Sequence, residues 1–451
     1  MDNNYVEHFE NENIQFRKKL YEPKYSVKNA EILSKLILKN IYKNKRNIQT
    51  KKNGFDCISV IFQDLFWQYS FNYNKYEGFI KKFGLNQKVK KKDNLFLFSG
   101  YKRIQDFLMI RKNFLTKVVF FIKLIFFLFW IFYQYLTGNT KKVIVQKTFF
   151  KNFRFSFSHK VKKNFLSLNH FLAFPFNSPV TKINESDINK YVTLETQRRI
   201  KSFKIWQFAF KILKPKKIIL LDNLFDDYGI LLAAKSLNIK TIGITHGVVS
   251  KYHKNNVGYN FLKKNILKFD KLYVCHDLYK KLLLKHGHIY KEKEISVSGL
   301  LNNEKYKKIK KRKKSKYILY AFEFLTDYKK INKTLKYFEK KDYFIIIKKR
   351  PGIKNYGQFD KINFSLVDEF TKYHFENALC IVGMSSSILF EMTFVGIPIV
   401  IPKNAGVSLY EGIKIKNWYI FYNGIEKKLC KLNIFNIPYK KINKNFLKEF
   451  N

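Results

Sequence analysis

The sequence predicts an α/β protein with two doubly wound halves, each built on a parallel sheet. Short apolar runs alternate with amphipathic stretches from Lys217 to Ser298, and the alternation restarts at Tyr317 and continues to Ile401. A basic, polar stretch, Asn302–Lys316, separates the two series. Strand–helix alternation at this spacing is typical of βαβ units. We therefore expect two domains, over 1–300 and 301–451.

The first series predicts four strands and a helix. The apolar runs KIILLD, KTIGIT, KLYVC and ISVS give strands at Lys217–Asp222, Lys240–Thr245, Lys271–Cys275 and Ile295–Ser298. Between the first two runs, Asp226–Leu237 has the pattern of a helix, with Asp226 as its N-cap. The second series predicts strands at Tyr317–Ala321, Tyr343–Lys348, Leu379–Val382 and Pro398–Ile401.

Length and composition exclude several classes of protein. The chain has 451 residues, of which 46% are hydrophobic and 18% aromatic, so it can bury a large core and is not a disordered basic tail. It is too long for a small DNA-binding module. Its four cysteines are far apart and form no CxxC pair, which excludes a disulfide scaffold and favours a reduced, cytoplasmic protein.

The net charge of +53 invites a nucleic-acid function, but the kind of cation argues against it. Of the 87 cationic residues, 78 are Lys and only nine are Arg. Geometric grip on phosphate favours the bidentate fork of Arg, whereas Lys acts as a solvated point charge. We therefore expect no nucleic-acid partner, and assign the charge in part to compositional drift and in part to an anionic membrane surface or substrate.

One segment, Val118–Leu136, is apolar over nearly its whole length, with Lys123 one turn inside it. About 20 apolar residues span a bilayer as a helix. Three alternatives stay open: a buried core helix, a monotopic or re-entrant membrane helix, and a true span. The basic residues Arg111, Lys112 and Lys117 precede it and favour contact with an anionic leaflet, so we expect membrane association rather than a span.

Candidate site residues follow the predicted strands, because ligands of doubly wound sheets bind beyond the carboxyl ends of the strands. His246 and Gly247 follow KTIGIT. A Gly there permits close approach of a ligand, and a His can act as a base or a phosphate donor; the alternative is a capped turn with a satisfied histidine.

A run of three serines, Ser385–Ser387, follows the strand LCIV and opens a helix. Hydroxyls and backbone N–H groups at a helix N-terminus suit a phosphate or diphosphate. An N-cap alone needs one Ser, so the run exceeds that need. Glu391, one turn into the helix, is placed to accept hydrogen bonds from ribose hydroxyls.

Two further pairs are weaker candidates. Lys349 and Arg350 follow the strand YFIIIK and could hold a phosphate, although in so basic a chain a plain surface role is nearly as good an interpretation. Asp226 and Asp227 are adjacent carboxylates and candidate catalytic groups. No His/Cys/Asp cluster has metal spacing, and neither GxGxxG nor GxxxxGK[ST] is present, so we expect no metal and no bound cofactor.

Four segments together resemble glycosyltransferases of the GT-B fold: ITHGVV, ISVSGLLNNEKY, YFIIIKKRPG and GMSSSILFEMTFVGIPIVI. The likeness extends from Lys217 to about Ile401 and is nearest to the group of capsule-polysaccharide enzymes, polysialyltransferases and CDP-glycerol glycerophosphotransferases. It implies two Rossmann-like domains facing each other across a cleft, with a C-terminal helix that often crosses back.

The resemblance also implies roles for individual residues. His246 would be the general base or a helper at the developing charge, and the serines would hold the donor phosphates with Glu391 near the ribose or sugar. Gly247 and Gly299, which lie within the matching segments, would join the donor-binding set. Transfer would be metal-independent and inverting. Relatives commonly have His-Pro where this chain has Arg350-Pro351, and Arg cannot donate a proton, which puts any acid role there in doubt.

We therefore expect a glycosyltransferase of surface polysaccharide synthesis, with an acceptor-side N-terminal domain and a donor-side C-terminal domain. Its partners would be a nucleotide-sugar donor, a glycan or lipid-linked acceptor and the anionic cytoplasmic face of the inner membrane. The alternatives are a polyol-phosphate transferase or UDP-sugar epimerase of the same fold, and a non-enzymatic polyanion- or membrane-binding protein.

Overall fold

The computed structural model describes residues 51–52, 55–56, 114–140, 142–146, 165–168, 185–221, 224–245, 267–286, 289–299, 309, 315–322, 328–349, 356, 359, 361–383, 386–402, 417–432 and 443–450. Its strands are β1 (Lys51–Lys52), β2 (Phe55–Asp56), β3 (Val143–Gln146), β4 (Phe165–Leu168), β5 (Lys217–Leu221), β6 (Lys240–Ile244), β7 (Lys271–Val274), β8 (Ile295–Val297), β9 (Tyr317–Ala321), β10 (Phe344–Lys348), β11 (Phe364–Val367), β12 (Ala378–Val382), β13 (Ile399–Ile401) and β14 (Trp418–Ile420).

The helices in the described part of the chain are α1 (Phe114–Leu136), α2 (Glu185–Leu213), α3 (Leu224–Ser236), α4 (Asp277–His286), α5 (Tyr328–Glu339), α6 (Lys372–Glu376), α7 (Ser387–Val395), α8 (Ile425–Cys430) and α9 (Lys444–Leu447). Single turns of 3₁₀-helix lie at Glu292–Glu294 and Lys448–Phe450. The chain forms two compact units, one containing β3–β8 and residues 443–450, the other containing β9–β14.

Each unit is built on a six-stranded sheet in which every neighbouring pair is parallel. Parallel sheets are covered on both faces, so their strands must be apolar throughout. The central strands meet that demand: all five residues of β12 are buried, as are the last four of β6 and of β9. The prediction of two parallel α/β halves is confirmed.

The order of strands differs between the two sheets. The first sheet runs β4-β3-β5-β6-β7-β8 and the second runs β11-β10-β9-β12-β13-β14. Numbered within its own unit, the second order is 3-2-1-4-5-6, which is the Rossmann arrangement. The order in which successive strands are added reverses at β9. Strands β10 and β11 extend the sheet on one side of β9, and β12, β13 and β14 extend it on the other.

Helices α1, α2 and α3 pack in the first unit. The indole of Trp206 on α2 meets the ring of Phe127 on α1 edge-on, with 4.9 Å between ring centroids. Helix α3 approaches α2 so closely at Gly229 that a Cβ there would overlap the side chain of Ser202. Glycine at this position therefore sets the distance between the two helices.

The C-terminal segment packs on the first sheet. The backbone N–H of Asn443 donates to the carbonyl of Ser298 at 2.9 Å, and its side-chain amide donates to the carbonyl of Val297 at 3.1 Å. Phe446 is fully buried and meets Tyr273 edge-on, with 4.9 Å between centroids. A segment that returns to the first sheet agrees with the crossing C-terminal helix that the family resemblance implies.

Three details of the predicted elements are wrong. Asp226 is not an N-cap, since α3 begins at Leu224 and Asp226 is its third residue. The apolar helix begins at Phe114 rather than Val118, and it is not a core helix buried on all sides, since Phe129 is 70% exposed. Six of the described strands were not predicted: β1, β2, β3, β4, β11 and β14. In the described part of the chain, no helix is both long enough and apolar enough to cross a bilayer.

Candidate functional site

The second sheet has its topological switch point between β9 and β12. These neighbours are parallel, with Tyr320 opposite Val382, so their carboxyl ends lie side by side. In open α/β sheets the crevice beyond the carboxyl ends at such a point is where ligands bind. The chain that leaves β12 there begins with Gly383, which is buried and donates its N–H to the carbonyl of Val400 at 3.2 Å.

Two residues of the serine run, Ser386 and Ser387, follow β12 at this switch point. Ser386 has extended backbone (φ −70°, ψ 138°) and immediately precedes α7, whose first residue is Ser387. The side chain of Ser386 does not cap the helix, although its carbonyl accepts from the N–H of Leu389 at 3.1 Å. The N-terminus of α7 therefore opens at the crevice without side-chain capping by the residue in the N-cap position. Ser385 lies outside the described residues.

The part of α7 that follows its N-terminus is fixed by packing and by a side-chain hydrogen bond. Leu389 and Met392 are fully buried, and the helix ends at Gly396, whose φ of +82° only glycine adopts without strain. The indole N–H of Trp418 donates to Thr393 Oγ1 at 2.7 Å, tying the helix to β14. Glu391 lies one turn after Ser387 and is half-buried.

Lys349 follows β10, one strand from the switch point. Its N–H donates to the carbonyl of Val367 at 2.8 Å, and its Nζ lies 3.3 Å from Asp368 Oδ1. Both side chains are exposed, and an ion pair of that kind stabilises little. The Lys349 ammonium can therefore exchange the Asp368 carboxylate for an anion that carries more negative charge, such as a phosphate. Arg350 lies outside the described residues.

The first sheet positions the segment that contains the predicted base. Strand β6 ends at Ile244, and the buried Thr245 continues the ladder by donating its N–H to the carbonyl of Tyr273 at 2.9 Å. His246 and Gly247 come next in the chain, and both lie outside the described residues. The histidine thus directly follows a residue that is fixed at the carboxyl edge of the sheet.

Asp226 and Asp227 are the third and fourth residues of α3, the helix that follows β5. Strands β5 and β6 pair in parallel, so their carboxyl ends lie at the same edge of the sheet. The first turn of α3, which follows β5, therefore lies at the same edge as Thr245, which follows β6. Gly299 follows β8 and Ser298, and is buried with φ of +80°, a conformation that favours glycine. Among the residues that the structure describes, no three His, Cys, Asp or Glu side chains gather as metal ligands would.

One charged cluster escaped sequence analysis and lies at the opposite edge of the first sheet. The carboxylate of Glu449 accepts from Lys217 Nζ at 3.2 Å, Lys271 Nζ at 3.1 Å and the hydroxyl of Tyr273 at 3.0 Å. Lys240 Nζ adds an ion pair at 3.5 Å. The three lysines are the first residues of β5, β6 and β7, and their strand registers place them and Tyr273 on one face of the sheet.

The electrostatics of this lysine–Glu449 cluster are strong. Burial alone would raise the pKa of Glu449, but the hydrogen bonds from Lys271, Lys217 and Tyr273 and the charge of Lys240 outweigh it and lower the pKa to about 2. Burial and the nearby Glu449 charge raise the pKa of Tyr273 above its usual value. The cluster lies at the amino ends of the strands, away from the ligand edge, so we interpret it as a clamp on the C-terminal segment. The one sequence signal for it is the Lys that begins each of the three strands.

Comparison with known proteins gives distant structural similarity. No protein-family model matches the chain, and no curated protein matches it. Solved structures similar to it include the UDP-GlcNAc 2-epimerase from Methanocaldococcus jannaschii, with 14% identity over 66% of this chain and 94% of that one and a TM-score of 0.40. The lipopolysaccharide outer core galactosyltransferase WaaB is similar at 13% identity over 68% of this chain and 94% of that one, with a TM-score of 0.38.

A third similar structure is the UDP-GlcNAc 2-epimerase from Neisseria meningitidis bound to UDP-GlcNAc, with 10% identity over 58% of this chain and 82% of that one and a TM-score of 0.37. These similarities are too remote to argue for any particular chemistry in this chain. The fold assignment depends on the two parallel sheets and their strand orders.

Proposed function

We propose that the protein is a GT-B glycosyltransferase that moves a sugar from a nucleotide-activated donor to a membrane-proximal glycan or lipid-linked acceptor in surface polysaccharide synthesis. The observation that supports it best is the coincidence of Ser386 and Ser387 with the switch point between β9 and β12. A Rossmann-ordered sheet offers its ligand crevice at that point, and hydroxyls at a helix N-terminus suit the diphosphate of a nucleotide sugar.

On the donor side, the N-terminus of α7 faces the negative charge that grows as the nucleotide diphosphate leaves. Backbone N–H groups and the hydroxyls of Ser385, Ser386 and Ser387 stabilise that charge without reorganising, which lowers the barrier to bond cleavage. Glu391, one turn further along the helix, accepts hydrogen bonds from hydroxyls of the ribose or sugar. Lys349 and Arg350 add positive charge beyond β10, and the guanidinium serves as a charge partner rather than a proton donor.

On the acceptor side, His246 acts as the general base. The acceptor oxygen attacks the anomeric carbon, a new carbon–oxygen bond forms, and the bond from that carbon to the phosphate oxygen breaks. The acceptor proton passes to the imidazole, a side chain that exchanges protons readily near neutral pH. Asp226 and Asp227, in the first turn of α3, supply negative charge at the same sheet edge and favour the imidazolium that forms.

Nucleotide binding tests the donor side directly. Thermal unfolding of the full chain with CMP, CDP, UDP and GDP should show stabilisation by one diphosphate, because a ligand that binds the native state raises its stability by mass action. Replacing both Ser386 and Ser387 with alanine should weaken affinity for that nucleotide by about tenfold or more, as expected when hydrogen bonds to a charged group are lost.

The matched control is Ser365→Ala. Ser365 is an exposed serine on the edge strand β11, so this variant should bind nucleotide as the wild type does. Unchanged affinity in the double serine variant would remove the serine run from the donor site. Failure of all four nucleotides to stabilise the protein would instead favour a non-enzymatic polyanion-binding protein.

Product analysis separates transfer from the related reactions. A glycosyltransferase releases nucleotide only in proportion to acceptor consumed, whereas an epimerase interconverts the sugar of a UDP-sugar without any acceptor. A polyol-phosphate transferase releases CMP rather than a nucleoside diphosphate. The ratio of nucleotide released with and without acceptor therefore separates the transferases from the epimerase. The group found on the acceptor, a sugar or a polyol phosphate, separates the two transferases.

A further inference from the structure

Helix α1 has two different faces. Its inner side is buried at Phe127, Ile131 and Gln134, which are spaced four and three residues apart, and Phe127 meets Trp206 of α2 there. The opposite side exposes large apolar side chains with the same spacing, and we call it the apolar face: Ile122, Phe126, Phe129, Phe132, Tyr133 and Leu136. Phe126 is 65% exposed, Phe129 70% and Leu136 80%.

This exposure is more than a soluble surface usually leaves to water. A Phe side chain offers about 150–250 Å², so six side chains exposed to this degree present on the order of 500 Å². Patches of that size on one element typically mark an interaction site. The helix is 23 residues long, or about 35 Å at 1.5 Å per residue. The apolar face is therefore an elongated patch that follows the helix axis.

The sequence around α1 carries charge of one sign. No Asp or Glu occurs in the sequence between Asp106 and Glu185, a stretch that includes all of α1. At the C-terminal end of the helix, Lys142 lies beside Lys216, whose N–H donates to the Lys142 carbonyl at 3.3 Å. Lys214 and Lys216 are exposed there.

The helix that supports α1 is cationic as well. Helix α2 buries Trp206 and Phe210 on its inner side and exposes Lys201, Lys204 and Lys211 on its outer side. An occupant of the apolar face must therefore combine an apolar body with negative charge around it.

We propose that the apolar face of α1 docks on an anionic lipid bilayer, lying in the interface with its aromatic side chains at the boundary between headgroups and acyl chains. An anionic bilayer matches both observations, since it offers hydrocarbon below and phosphates beside the helix. A second copy of the chain would bring two molecules of charge +53 into contact, which their repulsion opposes. Nucleic acid has the negative charge but offers no hydrocarbon to the apolar face. Tyr133 and Tyr135 are exposed on α1 and suit the headgroup region.

Vesicle flotation tests this docking with the full chain. Wild-type protein should float with vesicles of phosphatidylcholine and phosphatidylglycerol and should bind vesicles of phosphatidylcholine alone about tenfold or more weakly. Replacing Phe126 and Phe129 with asparagine should lower the partition onto the anionic vesicles by about tenfold or more, because two large apolar groups leave the interface.

The matched control is Phe344→Asn, which removes a Phe that is 59% exposed on β10 in the other unit and should leave vesicle binding unchanged. A second variant, Leu136→Asn at the end of α1, keeps the test valid if the double variant does not fold. Lys214→Gln with Lys216→Gln should weaken binding to the anionic vesicles and leave binding to phosphatidylcholine unchanged.

Vesicle binding that survives the Phe126 and Phe129 changes, or that does not depend on phosphatidylglycerol, would overturn the proposal. A concentration-dependent dimer in light scattering that the same changes abolish would assign the face to a second copy instead. The docking is independent of the proposed function, because nucleotide affinity measured without vesicles should be the same in all of these variants.

Discussion

Glu449 illustrates how one residue can hold the end of a chain. Its carboxylate lies at the end of a short tail, yet it meets three lysines that are the first residues of three different strands. Each lysine alone is an ordinary solvated cation at a strand end. Together they form a cluster of positive charge that the buried carboxylate of Glu449 balances. The position of the C-terminal segment is therefore determined by its contacts with the sheet rather than by its helix propensity.

Replacing Glu449 with Gln should destabilise the first unit by about 3 kcal/mol near neutral pH, because three clustered ammonium groups lose their counter-charge. Urea unfolding followed by far-UV circular dichroism measures the effect. The control is Glu292→Gln, which removes an exposed carboxylate that pairs with Lys280 and should cost less than about 1 kcal/mol.

The same carboxylate predicts a dependence on pH. Its pKa is about 2 in the folded protein against an ordinary value of 4.5, so the native state holds the ionised form more tightly than the unfolded chain does. The stability that Glu449 contributes is therefore complete above about pH 4.5 and is lost as pH falls toward about 2. The difference between wild type and Glu449→Gln should shrink over that window. A difference that stays constant would show that the loss is one of packing rather than of charge.

His246 is the residue on which the proposed chemistry depends most. His246→Ala should lower the rate of transfer by at least about a hundredfold, since general-base catalysis contributes on that order, while nucleotide affinity stays within about twofold. His374→Ala is the control, because that imidazole bonds to Thr371 at the start of α6 and belongs to no candidate site. Full transfer activity in His246→Ala would exclude the histidine as the base.

At the scale of elements, Gly243 lies in β6, three residues before that histidine. An added Cβ at Gly243 would overlap the ring of Phe269, which is buried and cannot move aside. Gly243→Ala should therefore cost about 1–3 kcal/mol through overpacking. Because Thr245 and His246 follow two and three residues later, the strain should also lower transfer activity.

A double-mutant cycle with Phe269→Leu tests this account of Gly243. The smaller side chain makes room for the new methyl group, so the double variant should be more stable than the sum of the two single changes predicts. Urea unfolding of the four proteins gives the coupling energy. Additive effects would mean that Gly243 is needed for its backbone freedom and not for the space beside Phe269.

Most internal strands of the two six-stranded sheets were predictable from sequence and most edge strands were not, for one physical reason. The exception among the internal strands is β3, which lies between β4 and β5. A strand covered on both faces must be apolar throughout, as KIILL at Lys217–Leu221 is, and its limits are then visible to within one or two residues. Edge strands need fewer apolar residues, because part of their surface meets solvent. All four residues of β11 and all three of β14 are at least partly exposed. Their short runs do not differ enough from loops to be recognised.

The candidate site was predictable in part for a related reason. A rule about strand ends predicts that Ser386, four residues after β12, lies near the carboxyl edge whatever the order of the strands. That β12 lies beside β9, which makes this edge a switch point, depends on pairing between residues far apart in sequence. The Glu449 cluster depends on contacts separated by more than 170 residues, and the Lys that begins each strand does not show which carboxylate it will meet.

At the scale of the whole molecule, the charge of +53 opposes the compact state, because 87 cations and only 34 anions are held on one surface. Salt shortens the range of this repulsion from about 10 Å at 0.1 M to about 3 Å at 1 M. We therefore expect the melting temperature to rise as sodium chloride increases from about 0.05 to about 0.5 M.

The lysine–Glu449 cluster should moderate this rise only slightly, since Glu449 is 7% exposed and buried pairs are screened less than surface charges. Glu449→Gln should melt at a lower temperature and rise more steeply with salt than the wild type, because its three ammonium groups then repel one another without a counter-charge. Sucrose at matched osmolarity separates screening from the general effect of excluded solutes, because it stabilises without ions. A melting temperature that falls with sodium chloride but not with sucrose would mean that attractive ion pairs outweigh the repulsion, and the excess of lysine would then be neutral to folding.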